Sequence, residues 1–328
     1  MTKFKLACIA LTLSLAATAP IRALATEILV AADKLPASHA LVQSVDYFGN
    51  LVAKNSKGTI TISVRSGGVL GSEEQTLRAV KDGQMAMVRV NLGILADRMH
   101  SAELLSLPYL FRSEEHLDKV LRGPFGERLD HELAENGYVR LMYLYDGPRD
   151  LFCTKPIYGV SDLQGVRIRT LESRAFTEMT RDLGAIPVQL PIDRTAEAFQ
   201  NHQIDCAGGN LDTYISEALY RYAPYLIQDE HARVPDVLLI SKKVWDRLTP
   251  AQQNLLHTSA DAAMAQMLGR LHEEEEANLK TARKEGATPI AHAKIANNAI
   301  EEQAARFYNH IVTNDQDLDA VVQIVMTR

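Results

Sequence analysis

Cysteine is nearly absent from this chain of 328 residues, which contains only Cys8, Cys153 and Cys206. Cys8 falls in an N-terminal leader, and the remaining two are too few for a disulfide framework. Cys153 and Cys206 read by default as two separate buried thiols. A single disulfide is the alternative if their Cα atoms approach within about 7 Å. An excess of one charge is also missing: 41 acidic residues stand against 35 basic ones. That balance gives no electrostatic case for nucleic acid or an anionic membrane as partner. Linear signatures of catalysis are lacking too, with no nucleophilic serine elbow, phosphate-cradling loop or two-histidine zinc helix. His131-Glu132 and His272-Glu273 lack a second histidine one helical turn away. No catalytic residue, metal ligand or cofactor is therefore assigned.

Beyond residue 25 no apolar run is long enough to cross a bilayer, and the first run, Leu6 to Ala17, is shorter than the roughly 20 residues a spanning helix needs. Lys3 and Lys5 precede it, and Ala23-Leu24-Ala25 follows as a small-residue site. This pattern predicts a secretory signal cleaved after Ala25 and an exported product, placed in the periplasm.

The remaining 300 or so residues suit two domains of ordinary size. Residues 26–32 and 59–64 read as strands, with helices from about His39 to Lys54 and from a Ser72 cap with Gln75 behind it. A strand over 85–90, helical segments over 113–136 broken at Gly123-Pro124, and a long strand over 138–145 follow. Four short strands come next, at 151–154, 166–170, 186–190 and 203–207, with helices between the last three. The alternation implies parallel strands with crossover helices. A return strand over 237–241 precedes Thr249-Pro250-Ala251-Gln252, a capping box with proline at the first helical position. Helical pattern then runs to about Gly286, roughly 50 Å at 1.5 Å per residue. No small lobe is that long, so this helix is expected to bridge two lobes or bend at Gly269.

The chemistry that is present is a set of arginines at strand ends. Arg149 follows a Gly-Pro turn, Arg167 and Arg169 alternate with Val166 and Ile168 on one strand, and Arg194 starts a helix. Guanidinium stays charged when buried and matches a carboxylate bidentately, which suits a carboxylate-binding cleft.

Several stretches, in order, resemble the DctP-like periplasmic solute-binding proteins of tripartite ATP-independent periplasmic (TRAP) transporters. They are Leu70-Gly71-Ser72-Glu73, Leu107-Pro108-Tyr109-Leu110-Phe111-Arg112, Gly147-Pro148-Arg149, Asp162-Leu163-Gln164-Gly165-Val166-Arg167-Ile168-Arg169, Leu183-Gly184-Ala185 and Arg233-Val234-Pro235-Asp236. The resemblance implies an α/β, two-lobed periplasmic binding protein fold of type II-like form, with hinge strands and a long helix bridging both lobes. Lobe I is expected over 26–147 plus about 234–250, lobe II over 148–233 plus about 285–328, and the bridging helix over about 250–285.

By the same resemblance Arg169 is the carboxylate anchor and Arg149 a second cleft arginine, while Asn210, Gly209, Arg194, Asn91 and His39 complete the expected ligand-binding set. The chain departs from the sugar-acid-binding pattern Asp-Gly-Ala-Glu-Asn-Asn, reading Asp205-Cys206-Ala207-Gly208-Gly209-Asn210. Arg194 and Ala196 replace a typical glutamate and tyrosine. The implied function is capture of an organic acid, a uronate for example, by hinge closure. A monomer would then deliver it to the small and large integral membrane subunits of a TRAP permease. The alternatives are an exported enzyme on a small carboxylic acid, with Glu197, Asp193 or a histidine as base, and a ligand-sensing module.

Overall fold

The computed structural model describes residues 26–328 except 172, so the predicted leader lies outside the described residues. Eleven strands form among them, and in chain order the first five are β1 (Glu27–Ala32), β2 (Ile60–Arg65), β3 (Met87–Asn91), β4 (Tyr138–Leu144) and β5 (Arg149–Cys153). The others are β6 (Arg167–Thr170), β7 (Ile186–Gln189), β8 (Cys206–Asn210), β9 (Tyr225–Ala232), β10 (Asp236–Ser241) and β11 (Thr288–Ile290). They make two sheets, ordered β2-β1-β3-β10-β4 and β11-β9-β5-β8-β6-β7.

In the first sheet β1 lies parallel to β2 and β3, joined by the helices Ala40–Asn55 and Glu73–Asp82. The second helix starts with the predicted capping box, Ser72 accepting from the Gln75 amide while Gln75 accepts from the Ser72 amide. β10 returns antiparallel between β3 and β4. In the second sheet β6 is parallel to β7 and β8, as the alternation predicts. β5 departs from it, running antiparallel to both β8 and β9. It enters directly from β4 through residues 145–148, with no crossover helix to set its direction.

The chain passes between sheets from β4 to β5 and from β9 to β10, and again through the Pro250–Lys284 helix, which begins at the predicted Thr249–Gln252 capping box. That helix continues unbroken through Gly269. Asn55 Nδ2 donates to Ser259 Oγ at 3.1 Å near one end, and Asn278 Nδ2 donates to Asp212 Oδ1 at 3.1 Å near the other. It thus braces both lobes.

Two further expectations fail. Residues 285–328 do not all belong with the second sheet: β11 does, but the helix Asp315–Met326 docks on the first lobe. There His116 Nε2 donates to Ile324 O at 2.9 Å, and Arg112 donates to Val325 O and Thr327 O, both at 2.8 Å. Ala320 and Ile324 are buried in the first-lobe core, which outweighs proximity in sequence. The cysteines, in turn, are not separate thiols but a disulfide. Cys153 and Cys206 are directly opposed on the antiparallel neighbours β5 and β8, a juxtaposition that only strand register creates.

Candidate ligand-binding site

The ends of β3, β5, β6, β8 and β10 converge on a cavity between the two sheets. Of the residues expected there, the structure brings together Arg149, Arg169, Asn210, Gly209 and Asn91. Arg169, on β6, is 2% exposed; its Nε donates to Leu190 O at 2.8 Å and its Nη1 to Gly208 O at 3.3 Å. Arg149, at the start of β5, is 4% exposed and donates from Nη2 to the same Gly208 carbonyl at 2.8 Å. One backbone oxygen therefore aligns both guanidinium groups. The Phe176 ring stacks beside Arg149, 5.1 Å from its Cζ. Arg149 also reaches Asn210 Oδ1 at 3.5 Å, since the two residues are register partners on β5 and β8. Asn210 Nδ2 in turn donates to Gly147 O at 2.7 Å.

Arg167 shares the strand but does not line the cavity. It pairs with Asp205, Nη2 to Oδ1 at 2.7 Å, at the surface. Among the described residues no carboxylate comes within 4.0 Å of Arg149, and burial pulls its guanidinium below the ordinary value, with Asp146 and Asp236 opposing. A buried cation left in that state favours an incoming anion.

Arg194 and His39 are not in the cavity. The Arg194 side chain is 59% exposed and pairs with Glu197 one helical turn on, Nη2 to Oε2 at 2.9 Å. His39 caps the Ala40–Asn55 helix, its Nδ1 2.8 Å from Asp212 Oδ2 and its Nε2 3.3 Å from Thr213 Oγ1. Helix capping and cross-lobe packing consume both ring nitrogens. Gly209 lines the cavity through its backbone, because a Cβ there would come 2.9 Å from Phe152 Cε2.

Sequence reasoning missed Lys34, Glu73, Arg89, Asp146, Thr213 and Asp236, all of which line the cavity. Arg89 Nε donates to Asp33 Oδ2 at 2.8 Å, and its Nη atoms also bond Asp33 and Asp236. Asp236 further accepts from Asn91 Nδ2 at 3.0 Å. A signal existed: Met87-Val88-Arg89-Val90-Asn91 places a lone arginine and an asparagine on one face of an apolar strand. The carboxylates that hold them come from β10 and from just after β1, beyond the reach of local pattern.

Glu73, at the start of the Glu73–Asp82 helix, has its carboxyl pushed up to about 7, burial being the main cause, with Arg89 and Arg169 opposing. A carboxyl raised in the folded state contributes stability present below its unfolded value, near 4.5, and lost as pH rises through about 7. Thermal unfolding of wild type and Glu73→Gln between pH 4.5 and 8 is expected to show a loss of stability with rising pH that is smaller in the variant. Parallel curves would place the Glu73 carboxyl in water.

The two lobes meet over the cavity. Lys34 Nζ lies 3.1 Å from Asp193 Oδ2, and the Arg174 amide donates to Asp97 Oδ1 at 3.1 Å. Phe176 of the second lobe is buried in the first-lobe core. The space between them is about 50 Å³, room for a few waters. Among the described residues no group of three His, Cys, Asp or Glu could hold a metal ion, and no helix is long and apolar enough to cross a membrane.

Comparison with known proteins places this geometry. The family described as bacterial extracellular solute-binding protein, family 7 (DctP), matches residues 31–315. A TRAP periplasmic solute-binding protein from Xanthobacter autotrophicus Py2, solved with bound β-D-galacturonate, superposes with a TM-score of 0.87 at 29% identity, covering 92% of this chain and 100% of that one. One from Bradyrhizobium sp. BTAi1, in complex with α/β-D-galacturonate, gives 0.85 at 28%, covering 91% and 99%. A solute-binding protein of Chromohalobacter salexigens is 24% identical over 229 residues, 70% of this chain and 68% of that one.

Proposed function

The chain belongs to the DctP family of bacterial extracellular solute-binding proteins, and from that premise we propose that it captures a sugar acid in the periplasm for a TRAP-type permease. The observation that carries this reading is the buried pair Arg149 and Arg169, aligned by one carbonyl at the mouth of a cavity between two lobes. The ligand carboxylate takes the outer faces of both guanidinium groups. Asn91, Asn210 and the Gly209 backbone border the rest of the ligand, whose hydroxyls face Glu73, Lys34 and Thr213.

A sugar acid exceeds the few waters' worth of space in the closed cleft, so entry requires the lobes to part about the β4–β5 and β9–β10 crossings. Closure then lowers the local dielectric around the ion pair, which strengthens it, while desolvation of both charges offsets part of the gain. The partners are the small and large membrane subunits of the permease, approached by a monomer with no nucleic acid and no cofactor. The relatives are named as binding proteins, and the ligand leaves chemically unchanged.

A thermal-shift screen against uronates, aldonates, dicarboxylates, keto acids and aromatic acids tests the reading. An acid at 100 times its dissociation constant should stabilise the fold by about 2.7 kcal/mol, with D-galacturonate or D-glucuronate among the responders. No shift with any acid would refute carboxylate capture.

A further inference from the structure

The helix Asp315–Met326 turns only one side towards the first lobe. Asp317, Ala320 and Ile324 are buried on that side, where His100 Nε2 lies 2.5 Å from Asp317 Oδ1. The opposite side is apolar and open: Leu318, Val322, Val325 and Met326 are each at least 45% exposed. Steps of four and then three residues lay Leu318, Val322 and Val325 in one straight seam, the repeat by which two helices pack side by side. The seam lies beyond residue 315, the last that the DctP family matches, and no part of it lines the ligand cavity.

Large apolar side chains held open together mark a contact surface, and the charges at the two ends of the seam indicate what fills it. Asp315 and Asp319 are exposed at its first end. Arg328 is exposed at the other, beside Arg112, which is anchored to Val325 O and Thr327 O. A seam that is acidic at one end and basic at the other complements itself when turned end over end. We propose that it binds the same seam of a second copy of this chain, antiparallel, about a two-fold axis at Val322. Leu318 then packs against the partner's Met326, Val322 meets the partner's Val322, and Asp315 faces the partner's Arg328. Each contact is made twice, as an isologous interface requires. The arrangement also sets the positive end of each helix dipole beside the negative end of the other. A parallel pair would instead put like charge on like at both ends.

The helix has 12 residues, about 18 Å of contact, whereas a stable interface takes about 20 to 30 residues a side. Pairing is therefore weak and concentration-dependent, and dilution releases the monomer assigned above to the permease. Nothing in this proposal depends on the carboxylate site.

Sedimentation velocity of the purified protein between about 1 µM and about 1 mM tests the pairing. A reversible equilibrium between one copy and two is expected. Val322→Glu places two carboxylates together on the axis and should weaken association at least about tenfold. Asp315→Arg and Arg328→Asp should each weaken it by about threefold, and the double variant should restore it, because the exchange keeps the ends complementary. Thermal unfolding of every variant, and its shift with the best acid of the screen, should stay close to wild type, since these side chains reach neither the core nor the cavity.

A single copy at every concentration overturns the proposal. So does a dimer that survives Val322→Glu, an assembly that grows past two copies, or a double variant that stays as weak as its parents. If wild type never pairs and Val322→Glu instead blocks delivery to permease-bearing vesicles with ligand affinity intact, the seam belongs to the permease and not to a second copy.

Discussion

Arg169→Ala is expected to weaken ligand binding by about 2 to 5 kcal/mol, the cost of truncating one partner of a buried, hydrogen-bonded charge pair. At 1.4 kcal/mol per factor of ten, that is a loss of about 30-fold to several thousand-fold, enough to abolish binding of a micromolar ligand. The effect is large because Arg169 is 2% exposed and held by Leu190 O and Gly208 O, so the site meets the carboxylate with its charge already aimed. Arg169→Lys should fail nearly as badly, since a single ammonium cannot bond both backbone carbonyls and a bidentate carboxylate at once. Arg167→Ala is the matched control, two residues away on the same strand but paired with Asp205 at the surface. It should leave affinity within about twofold. Titration of the three variants with the best acid from the thermal screen decides the matter, and an Arg169→Ala protein with wild-type affinity would remove the anchor from the proposal.

Loss of the disulfide has the largest expected effect on stability. Cys153 and Cys206 are separated by 53 residues in sequence, and closing a loop of that length restricts the unfolded chain by about 4 kcal/mol in the chain-entropy account. The double variant Cys153→Ala/Cys206→Ala should therefore unfold at markedly lower urea concentration, and dithiothreitol should shift wild type in the same direction. Ligand affinity should change little. Arg149 and Asn210 sit four residues away at the other end of the same strand pair, whose register the β5–β8 ladder holds independently. An unfolding midpoint unmoved by the double substitution would mean that the bond contributes nothing. A large loss of affinity alongside it would mean that the bond, and not the ladder, sets the arginine register.

Legibility in the sequence followed the range of the forces involved. The capping boxes at Ser72 and Thr249, the unbroken helix to Lys284 and the strands β1 and β2 each rest on residues within a few positions of one another, and their pattern predicted them. β9 escaped because Gln228-Asp229-Glu230-His231 looks like a loop, although Asp229 and His231 are buried and paired with each other. β8 is legible only in part: the apolar pattern predicts a strand over 203–207, and the strand runs over Cys206–Asn210 because Gly208-Gly209 carries no side-chain pattern. Within the cleft, Arg149 and Arg169 were legible as arginines at strand ends. Arg194 was equally legible and belongs elsewhere, because its helix start faces solvent and Glu197 lies within reach.

What the sequence determined by itself is most of the elements, the two-lobed α/β architecture with its long brace, and Arg149 and Arg169 as candidate cleft residues, since each follows from local periodicity, caps and the family's motifs. Only the tertiary structure decided the disulfide, the docking of the C-terminal helix on the first lobe, the Asp33–Arg89–Asp236 network and the Gly208 carbonyl shared by Arg149 and Arg169. Each of these joins residues far apart in sequence, and such contacts are settled by strand register and by which surfaces bury together, quantities that no window of neighbouring residues contains.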